Sequence, residues 1–177
     1  MGLSHYRRYF NFKNDTIFPT DCFVPASPTI DQMRCLSDQE QYSRLSRLLK
    51  NLDVIIPRCF WFPVSAKMQY QSCVESEPWD RFETELRKKY GTSVALNDFF
   101  ELTQFSTVFN MFCMKREVFR SYMEDMFPLI MEVYNTLGPR YDSYNNRYPA
   151  FLAERYLGLW LRLNRISFVE VPVVRFS

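Results

Sequence analysis

Short apolar runs that favour strands alternate along this chain with longer stretches whose apolar residues recur at helical spacing. The run DVIIP at 53–57 is rich in β-branched residues and is stopped by a proline, which is typical of a buried strand. Before it, Ser37 and Glu40 form a capping-box pattern, and the leucines that follow predict a helix over about 38–50. Strands that alternate with helices in this way predict an α/β domain.

The alternation continues to the end of the chain. Helices are predicted over SEPWDRFETELRKKYG, over 95–104, from Lys115 to Leu137 and over about 149–164. Strands are predicted at 106–115 and at ISFVEVPVV. Pro128 should kink the long helix or divide it in two. Residues 11–36 are predicted to form a long loop, and RCFWFP after the first strand should leave the sheet as an aromatic loop.

Composition limits the domain count and the classes of partner. The 177 residues and the 47% apolar content fit a single packed domain over 1–177. A formal charge of +2 without a basic stripe argues against nucleic-acid binding. No run of 18 apolar residues occurs and no secretory signal is recognised, so we expect a cytoplasmic protein with at most peripheral membrane contact.

Several kinds of catalytic site lack the residues they need. The five cysteines are scattered and His5 is the only histidine, so no zinc-type spacing occurs and no second histidine can activate a nucleophile. With 4 glycines, the chain has no glycine-rich phosphate-binding motif. No Asp-x-Asp follows an apolar strand. No metal ligands or cofactor are therefore identified, although a divalent metal is left open.

The stretch GLSHYRRYF at residues 2–10 combines the histidine with two adjacent arginines. In a strand, His5 and Arg7 would lie on one face and Arg8 on the other. One interpretation is that an arginine binds a diphosphate through two hydrogen bonds while His5 donates another nearby. The other interpretation is two surface arginines beside a partly buried histidine, and the residue types alone favour it.

Polar residues in the second half of the chain offer further candidates. Asn110 interrupts an apolar run, so it either ties down a loop or faces a ligand. Glu154 borders the apolar stripe of the last helix and is either a general base or the partner of Arg155 or Arg147 in an ion pair. The preceding loop, which contains Asn145, has an aromatic and amide composition that suits a sugar and equally suits any polar loop.

Five motifs appear in a fixed order: GLSHYRRYF, DVIIP, FNMFCMKREVFRSYMEDMF, YPAFLAERYLGLWL and VEVPVV. Together they resemble a bacterial family found in capsular and surface polysaccharide gene clusters. That family is long catalogued as a domain of unknown function and is regarded as a glycosyltransferase. The resemblance covers nearly the whole chain. It implies a GT-A-like mixed sheet flanked by helices, and transfer of a sugar from a nucleotide-sugar donor to a saccharide or lipid-linked acceptor at the inner face of the membrane.

The resemblance also implies roles for individual residues. The HYRRYF motif lies where GT-A enzymes usually place an acidic metal motif, so His5, Arg7 and Arg8 become candidates for binding the donor diphosphate. Glu154 becomes the candidate catalytic base. The candidates for acceptor or sugar binding are Asn110, Asn145, Arg147 and Arg155.

Two departures from the family pattern affect these expectations. In the family a long segment precedes the HYRRYF strand, so we expect this chain to be the C-terminal part of the family domain, without the usual N-terminal nucleotide-binding strands. The stretch QSCVESEPWD after Tyr70 is also poor in the basic and histidine residues that the family pattern leads us to expect there. A central strand left at a sheet edge would invite association, so a homo-oligomer or partner subunit is left open. The alternative function is a truncated, non-catalytic remnant or an interaction module that pairs through that edge.

Overall fold

The computed structural model describes residues 1–3, 8–13, 23–24, 29–102, 105–106 and 109–176. Within these ranges the strands are β1 (Gly2–Leu3), β2 (Arg8–Phe10), β3 (Phe23–Val24), β4 (Val54–Pro57), β5 (Phe60–Trp61), β6 (Phe105–Ser106), β7 (Phe112–Met114), β8 (Phe168–Val171) and β9 (Val173–Phe176). The helices are α1 (Ile30–Leu36), α2 (Gln39–Asn51), α3 (Ala66–Gln71), α4 (Ser76–Tyr90), α5 (Val94–Glu101), α6 (Arg116–Leu137) and α7 (Tyr148–Leu163), and a 3-10 turn covers Asn145–Arg147.

The chain divides into two compact units. Unit 1 comprises Met1–Arg58, Phe109–Phe119 and Ile166–Ser177, and unit 2 comprises Cys59–Val108 and Arg120–Arg165. Neither unit is one continuous piece of sequence. The assignment of 1–177 to a single domain stays a prediction.

Unit 1 contains a four-stranded sheet with the strand order β1-β7-β4-β8. Strand β7 runs antiparallel to β1 and β4, whereas β4 and β8 are parallel. The register pairs Ile55 with Cys113 on one side and with Val169 on the other. The sheet is therefore mixed, and the predicted α/β fold class is confirmed.

Strand β4 is the buried strand that DVIIP predicts. Val54 and Ile55 are 0% exposed and Ile56 is 1% exposed. Leu45 and Leu48 of α2 pack against the core cluster that contains Ile55. A strand covered on both faces needs apolar residues at every position, which explains the continuous apolar run.

A second sheet in unit 1 explains why the predicted C-terminal strand is two strands. Strand β9 lies between antiparallel β2 and parallel β3, whereas β8 belongs to the four-stranded sheet. Pro172 separates β8 from β9 and has no N–H to donate. Its carbonyl accepts a hydrogen bond from the Asn11 amide at 2.9 Å. The prediction of one continuous strand at ISFVEVPVV is therefore wrong.

Aromatic side chains form the core of unit 2 around Trp79, which is 0% exposed on α4. Its ring centroid lies 5.1 Å from Tyr70, 5.8 Å from Phe82 and 6.1 Å from Phe100. These distances fall in the range in which aromatic pairs stabilise a core beyond simple burial. The helical periodicity predicts a buried stripe of Trp79, Phe82, Leu86 and Tyr90; the first three are buried, whereas Tyr90 is half-buried.

Helix α1 lies inside the predicted loop over 11–36, so that prediction is wrong at its C-terminal end. The Thr29 hydroxyl accepts a hydrogen bond from the Gln32 amide at 3.2 Å, and the Gln32 side chain accepts one from the Thr29 amide at 2.9 Å. This reciprocal capping box favours a helix despite the prolines before it.

Helix α3 was not predicted. RCFWFP leaves the main sheet as predicted, but β5 pairs there with β6 instead of forming only a loop.

The predicted strand over 106–115 is wrong at residues 109–111, while residues 107–108 lie outside the described part. The Met111 amide donates to the Phe109 carbonyl at 2.7 Å, so this tight turn removes both groups from the strand ladder. Strand β7 begins only at Phe112.

Helix α6 continues through Pro128 and is not divided.

None of the helices in the described ranges combines the length and apolar character needed to cross a membrane.

Candidate functional site

Of the three candidate donor-binding residues, Arg8 lies in the described part of the chain. His5 and Arg7 lie outside it. Strand β2 is anchored by Phe10, which is buried in the core of unit 1 and pairs in register with Val173. The guanidinium carbon of Arg8 lies 4.2 Å from the centroid of the Phe109 ring. A guanidinium stacked on an aromatic ring keeps its charge and is held in one plane, which suits two parallel hydrogen bonds to a phosphate group.

Asn110 is the residue after Phe109, and Arg8 stacks on the Phe109 ring. The structure thus brings two of the candidate residues into the same part of unit 1. Asn110 is half-buried and precedes fully buried Met111, in the tight turn before β7 rather than within a strand. Its role as an acceptor ligand stays a prediction.

The loop before α7 holds Asn145 by both ends of its side-chain amide. Asn145 Oδ1 accepts from the Glu75 amide at 3.1 Å, and Nδ2 donates to Asp142 Oδ2 at 2.8 Å. Glu75 is the N-cap residue of α4, so Asn145 links the loop to the start of that helix. Arg147 is exposed and lies over the Phe151 ring at 5.1 Å. Asn145 therefore has a structural role in unit 2, whereas Arg147 presents its charge near the surface.

Glu154 and Arg155 lie side by side on α7 and contact each other. The shortest carboxylate-to-guanidinium distance is 3.6 Å, with side-chain exposures of 16% for Glu154 and 6% for Arg155. Arg155 also donates to the Phe151 carbonyl at 2.8 Å and to Gln69 Oε1 at 2.5 Å. The ion pair expected as one alternative for Glu154 is therefore present, and the carboxylate retains some exposure.

The surroundings of Arg155 contain unused hydrogen-bonding capacity. Neither Arg155 Nε nor the Tyr70 hydroxyl has a hydrogen-bond partner within the part of the chain that the structure describes. The Arg155 guanidinium lies 5.2 Å from the centroid of the Tyr70 ring. Burial lowers the pKa of Arg155 and raises the pKa of Tyr70. A buried polar atom without a hydrogen-bond partner lowers the stability of the fold, so Arg155 Nε and the Tyr70 hydroxyl are suited to bind a further polar group.

A cluster around Asp125 in unit 2 was not predicted. Asp125 Oδ2 accepts from the Tyr90 hydroxyl at 2.6 Å and from the Tyr156 hydroxyl at 2.8 Å, and the two hydroxyls lie 2.6 Å apart. Lys89 donates to Asp125 Oδ1. The cluster joins the end of α4 to the middle parts of α6 and α7 and fixes the orientation of the Asp125 carboxylate.

The ionisation of this cluster follows from its burial and hydrogen bonds. Burial raises the pKa of the Asp125 carboxyl, but hydrogen bonds from Lys89, Tyr90 and Tyr156 outweigh it and hold that pKa below its usual value. Burial is the main reason why the pKa values of Tyr90 and Tyr156 are raised, and Asp125 raises both further. The carboxylate is therefore charged and both hydroxyls are neutral at neutral pH.

Only a weak signal of this cluster exists in the sequence. Tyr90 recurs at helical spacing with the apolar residues Trp79, Phe82 and Leu86, and a buried tyrosine usually needs a partner for its hydroxyl. Asp125 directly precedes Met126, which belongs to the apolar face of the predicted helix. From the sequence, Asp125 is therefore expected to be an ordinary exposed residue. No local pattern shows that residues 31 and 35 positions apart from Asp125 meet it.

Across the described ranges, no group of three or more histidine, cysteine or acidic side chains is arranged to hold a metal ion.

Comparisons with known proteins address the family and the fold. The family described as a domain of unknown function, DUF4422, matches residues 1–165. Among solved structures, the apo structure of WbbM, described as a bifunctional glycosyltransferase, is similar with a TM-score of 0.82 and 19% sequence identity. The similarity covers 99% of this chain and 33% of that chain, so this chain spans about a third of the length of that protein. No curated protein matches the sequence significantly.

Proposed function

This chain belongs to the DUF4422 family, and on that premise we propose that it is a glycosyltransferase with a GT-A-like site. The reaction would transfer a sugar from a nucleotide-sugar donor to a saccharide or lipid-linked acceptor. An acceptor hydroxyl attacks the anomeric carbon, the bond to the nucleoside diphosphate breaks, and a base takes the hydroxyl proton. The observation that carries the proposal is the likeness of almost the whole chain to the fold of a protein described as a glycosyltransferase.

On the donor side, the proposal assigns the diphosphate to Arg8, with Arg7 and His5 as further ligands. Support comes from the stacking of Arg8 on Phe109, which holds a permanent positive charge in a fixed plane. The departing diphosphate gains negative charge as its bond to the sugar breaks. An arginine that binds it more strongly at that stage lowers the barrier to transfer. Such a cation performs the charge-offsetting role without requiring a metal, although a divalent metal is compatible with the proposal.

On the acceptor side, the proposal assigns the role of base to Glu154. Support comes from a carboxylate that is largely buried yet partly accessible, next to a buried guanidinium. Arg155 and Arg147 would then orient acceptor hydroxyls, with Asn145 and Asn110 as further acceptor contacts. A carboxylate fixed by a neighbouring arginine can accept a proton in one defined direction, which is what base catalysis requires.

The proposed setting is the synthesis of capsular or surface polysaccharide at the cytoplasmic face of the membrane. It follows from the resemblance of the five ordered motifs and from a nucleotide-activated donor, which cells make in the cytoplasm. A lipid-linked acceptor would require the protein to work at the membrane surface.

The test is calorimetry with uridine and guanosine diphosphates and their sugar conjugates. We expect one of these to bind the wild-type chain, and we expect Arg8→Ala to weaken that binding by about 10- to 100-fold, as the loss of a charge-assisted hydrogen bond predicts. Arg8→Lys should recover only part of the affinity because lysine cannot form the two parallel bonds.

Arg47→Ala is the matched control. Arg47 is exposed on α2, and its substitution removes the same positive charge from unit 1. Equal affinity losses in Arg8→Ala and Arg47→Ala would remove Arg8 from the donor site. Circular dichroism of all three variants checks that each is folded.

One observation favours a second candidate function, an interaction module. In the described sheet β1 is at the end of the strand order and pairs on one side only, with β7. A terminal strand presents backbone groups that a partner strand can pair with. The absence of any heat of binding with all the nucleotides above would favour this non-catalytic alternative.

A further inference from the structure

An open surface cavity of about 340 Å³ lies in unit 2 at the C-terminal end of α4, the first half of α6 and the C-terminal end of α7. The residues that line it are Tyr90, Ser121, Glu124, Asp125, Trp160 and Asn164. Its volume lies at the lower end of the roughly 300–1,000 Å³ that small-molecule sites occupy. It is therefore large enough for a ligand of the size of one sugar ring.

The polar groups of the cavity divide into a fixed set and an uncommitted set. Tyr90 and Asp125 belong to the hydrogen-bonded cluster already described and are held in place by it. The side chains of Ser121 and Glu124 make no hydrogen bond or ion pair with any residue in the described ranges. Asn164 uses Nδ2 on the Trp160 carbonyl at 2.9 Å, which leaves Oδ1 for another donor. The cavity thus offers both donors and acceptors beside a rigid carboxylate.

The charge of this cavity selects against a nucleotide. Glu124 and Asp125 contribute two carboxylates and Lys89 contributes one ammonium group, so one negative charge is in excess. A diphosphate brings several negative charges and would be repelled. A neutral ligand with many hydroxyl groups can donate to the carboxylates and accept from the Ser121 hydroxyl. The chemistry fits a neutral saccharide better than a nucleotide-sugar.

We infer that the Tyr90–Asp125–Asn164 cavity binds a neutral sugar unit of the acceptor. The inference rests on the proposed function, because it adds a site for a further sugar unit of the acceptor, apart from the acceptor contacts proposed at Glu154, Arg155 and Arg147. Glu124 and Asp125 accept hydrogen bonds from sugar hydroxyls, and Ser121 and Asn164 determine which hydroxyl pattern fits. The Tyr90 and Tyr156 hydroxyls and the Lys89 ammonium group keep Asp125 in position.

The test is a nuclear magnetic resonance titration of the nitrogen-15-labelled chain with methyl glycosides of glucose, galactose and mannose. The signals to follow are those of the Asn164 side-chain amide. We expect at least one glycoside to shift them in a saturable way. Glu124→Gln should weaken that binding about tenfold or more, because a hydrogen bond to a charged group is lost.

The matched control is Glu117→Gln, which changes the same residue type on the same helix outside the cavity. Both glutamates are exposed, so both variants should fold. The control should bind the glycoside as the wild type does. Uridine diphosphate should leave the Asn164 signals unchanged.

Three outcomes would overturn the inference: no glycoside shifts the Asn164 signals, Glu124→Gln and Glu117→Gln bind equally, or uridine diphosphate shifts those signals saturably. Its failure is distinguishable from failure of the proposed function. Sugar transfer without glycoside binding at Asn164 would keep the function and remove this site. Glycoside binding without nucleotide binding or transfer would keep the site and remove the function.

Discussion

At the residue scale, Glu154 and Arg155 show two adjacent side chains in different environments. Arg155 has 6% of its side chain exposed and is held by a carbonyl, an amide oxygen and the Glu154 carboxylate. Glu154 retains 16% exposure. Breaking a buried ion pair by removing one partner commonly costs about 3–5 kcal/mol. This cost gives a way to separate a structural role for Glu154 from a catalytic one.

We predict that Glu154→Gln lowers the rate of sugar transfer by about 100-fold or more, as the loss of a general base does. Its melting temperature should fall by less than the full loss of a buried ion pair predicts, because Arg155 keeps its bonds to Phe151 and Gln69. The measurements are the turnover number with the donor that calorimetry identifies, and thermal unfolding.

Glu132→Gln is the control for this prediction, since Glu132 is an exposed carboxylate paired with Arg81 elsewhere in unit 2. It should leave turnover unchanged. A large fall in melting temperature for Glu154→Gln with normal turnover of the folded fraction would show that Glu154 serves only as the partner of Arg155.

At the element scale, α6 shows how packing can maintain a helix against its own sequence. Pro128 has no N–H for the Glu124 carbonyl and its ring crowds the preceding turn. Buried residues flank it on both sides, at Met126, Leu129 and Ile130. Most helix stability in proteins comes from such tertiary packing, which explains why the helix is not divided.

We predict that Pro128→Ala stabilises the protein by about 1–3 kcal/mol, because it restores a helical hydrogen bond and removes a clash. The gain is reduced by the greater freedom of alanine in the unfolded chain. Urea unfolding followed by circular dichroism measures the difference.

The control for Pro128→Ala is Asn135→Ala at another exposed position of α6. It should gain no more than about 0.7 kcal/mol, the difference in helix propensity. A destabilised Pro128→Ala variant would mean that the proline has a tertiary role that its exposure does not suggest.

At the scale of the whole molecule, carboxylates set the acidic limit and tyrosines the alkaline limit of the pH range over which the protein is most stable. Hydrogen bonds from Ser167 and Lys115 lower the pKa of Asp53 in unit 1. In unit 2, burial raises the pKa of Glu83, but hydrogen bonds from Arg87 and Lys67 outweigh it and leave that pKa lowered. Burial raises the pKa values of Tyr70, Tyr90 and Tyr156.

The sign of each effect follows from which state binds more protons. For a lowered carboxyl pKa the unfolded state binds the proton first on acidification, so stability is lost as the pH falls through the folded pKa. For a raised tyrosine pKa the unfolded state loses its proton first, so stability is lost as the pH rises toward the folded pKa.

We therefore predict a free energy of unfolding that is nearly constant in the neutral range and falls below about pH 4 and above about pH 10, the ordinary pKa values of these groups. Urea unfolding across this range measures it. Tyr70→Phe should reduce the alkaline fall. It should not lower stability at pH 7, because its hydroxyl has no hydrogen-bond partner in the described part of the chain. A loss at pH 7 of more than about 1 kcal/mol would contradict this account.

Elements whose signals are local could be predicted from the sequence. The buried strand β4 and the helices α2, α4 and α7 lie close to where the apolar spacing predicts them, because periodicity is contained in neighbouring residues. The ordered motifs identified the family in the same way. The α1 capping box was also local, and the prolines before it led to the wrong prediction there.

Contacts between residues that are distant along the chain could be seen only in the folded protein. Arg155 bonds to Gln69, 86 positions away, and Asp125 meets Tyr90 and Tyr156 across three helices. Such contacts depend on how helices pack, and packing is set by the whole buried surface rather than by any short stretch. The sequence therefore determined the α/β class and most of its elements. The cavity beside Asp125 and the burial of Arg155 exist only because separate helices converge.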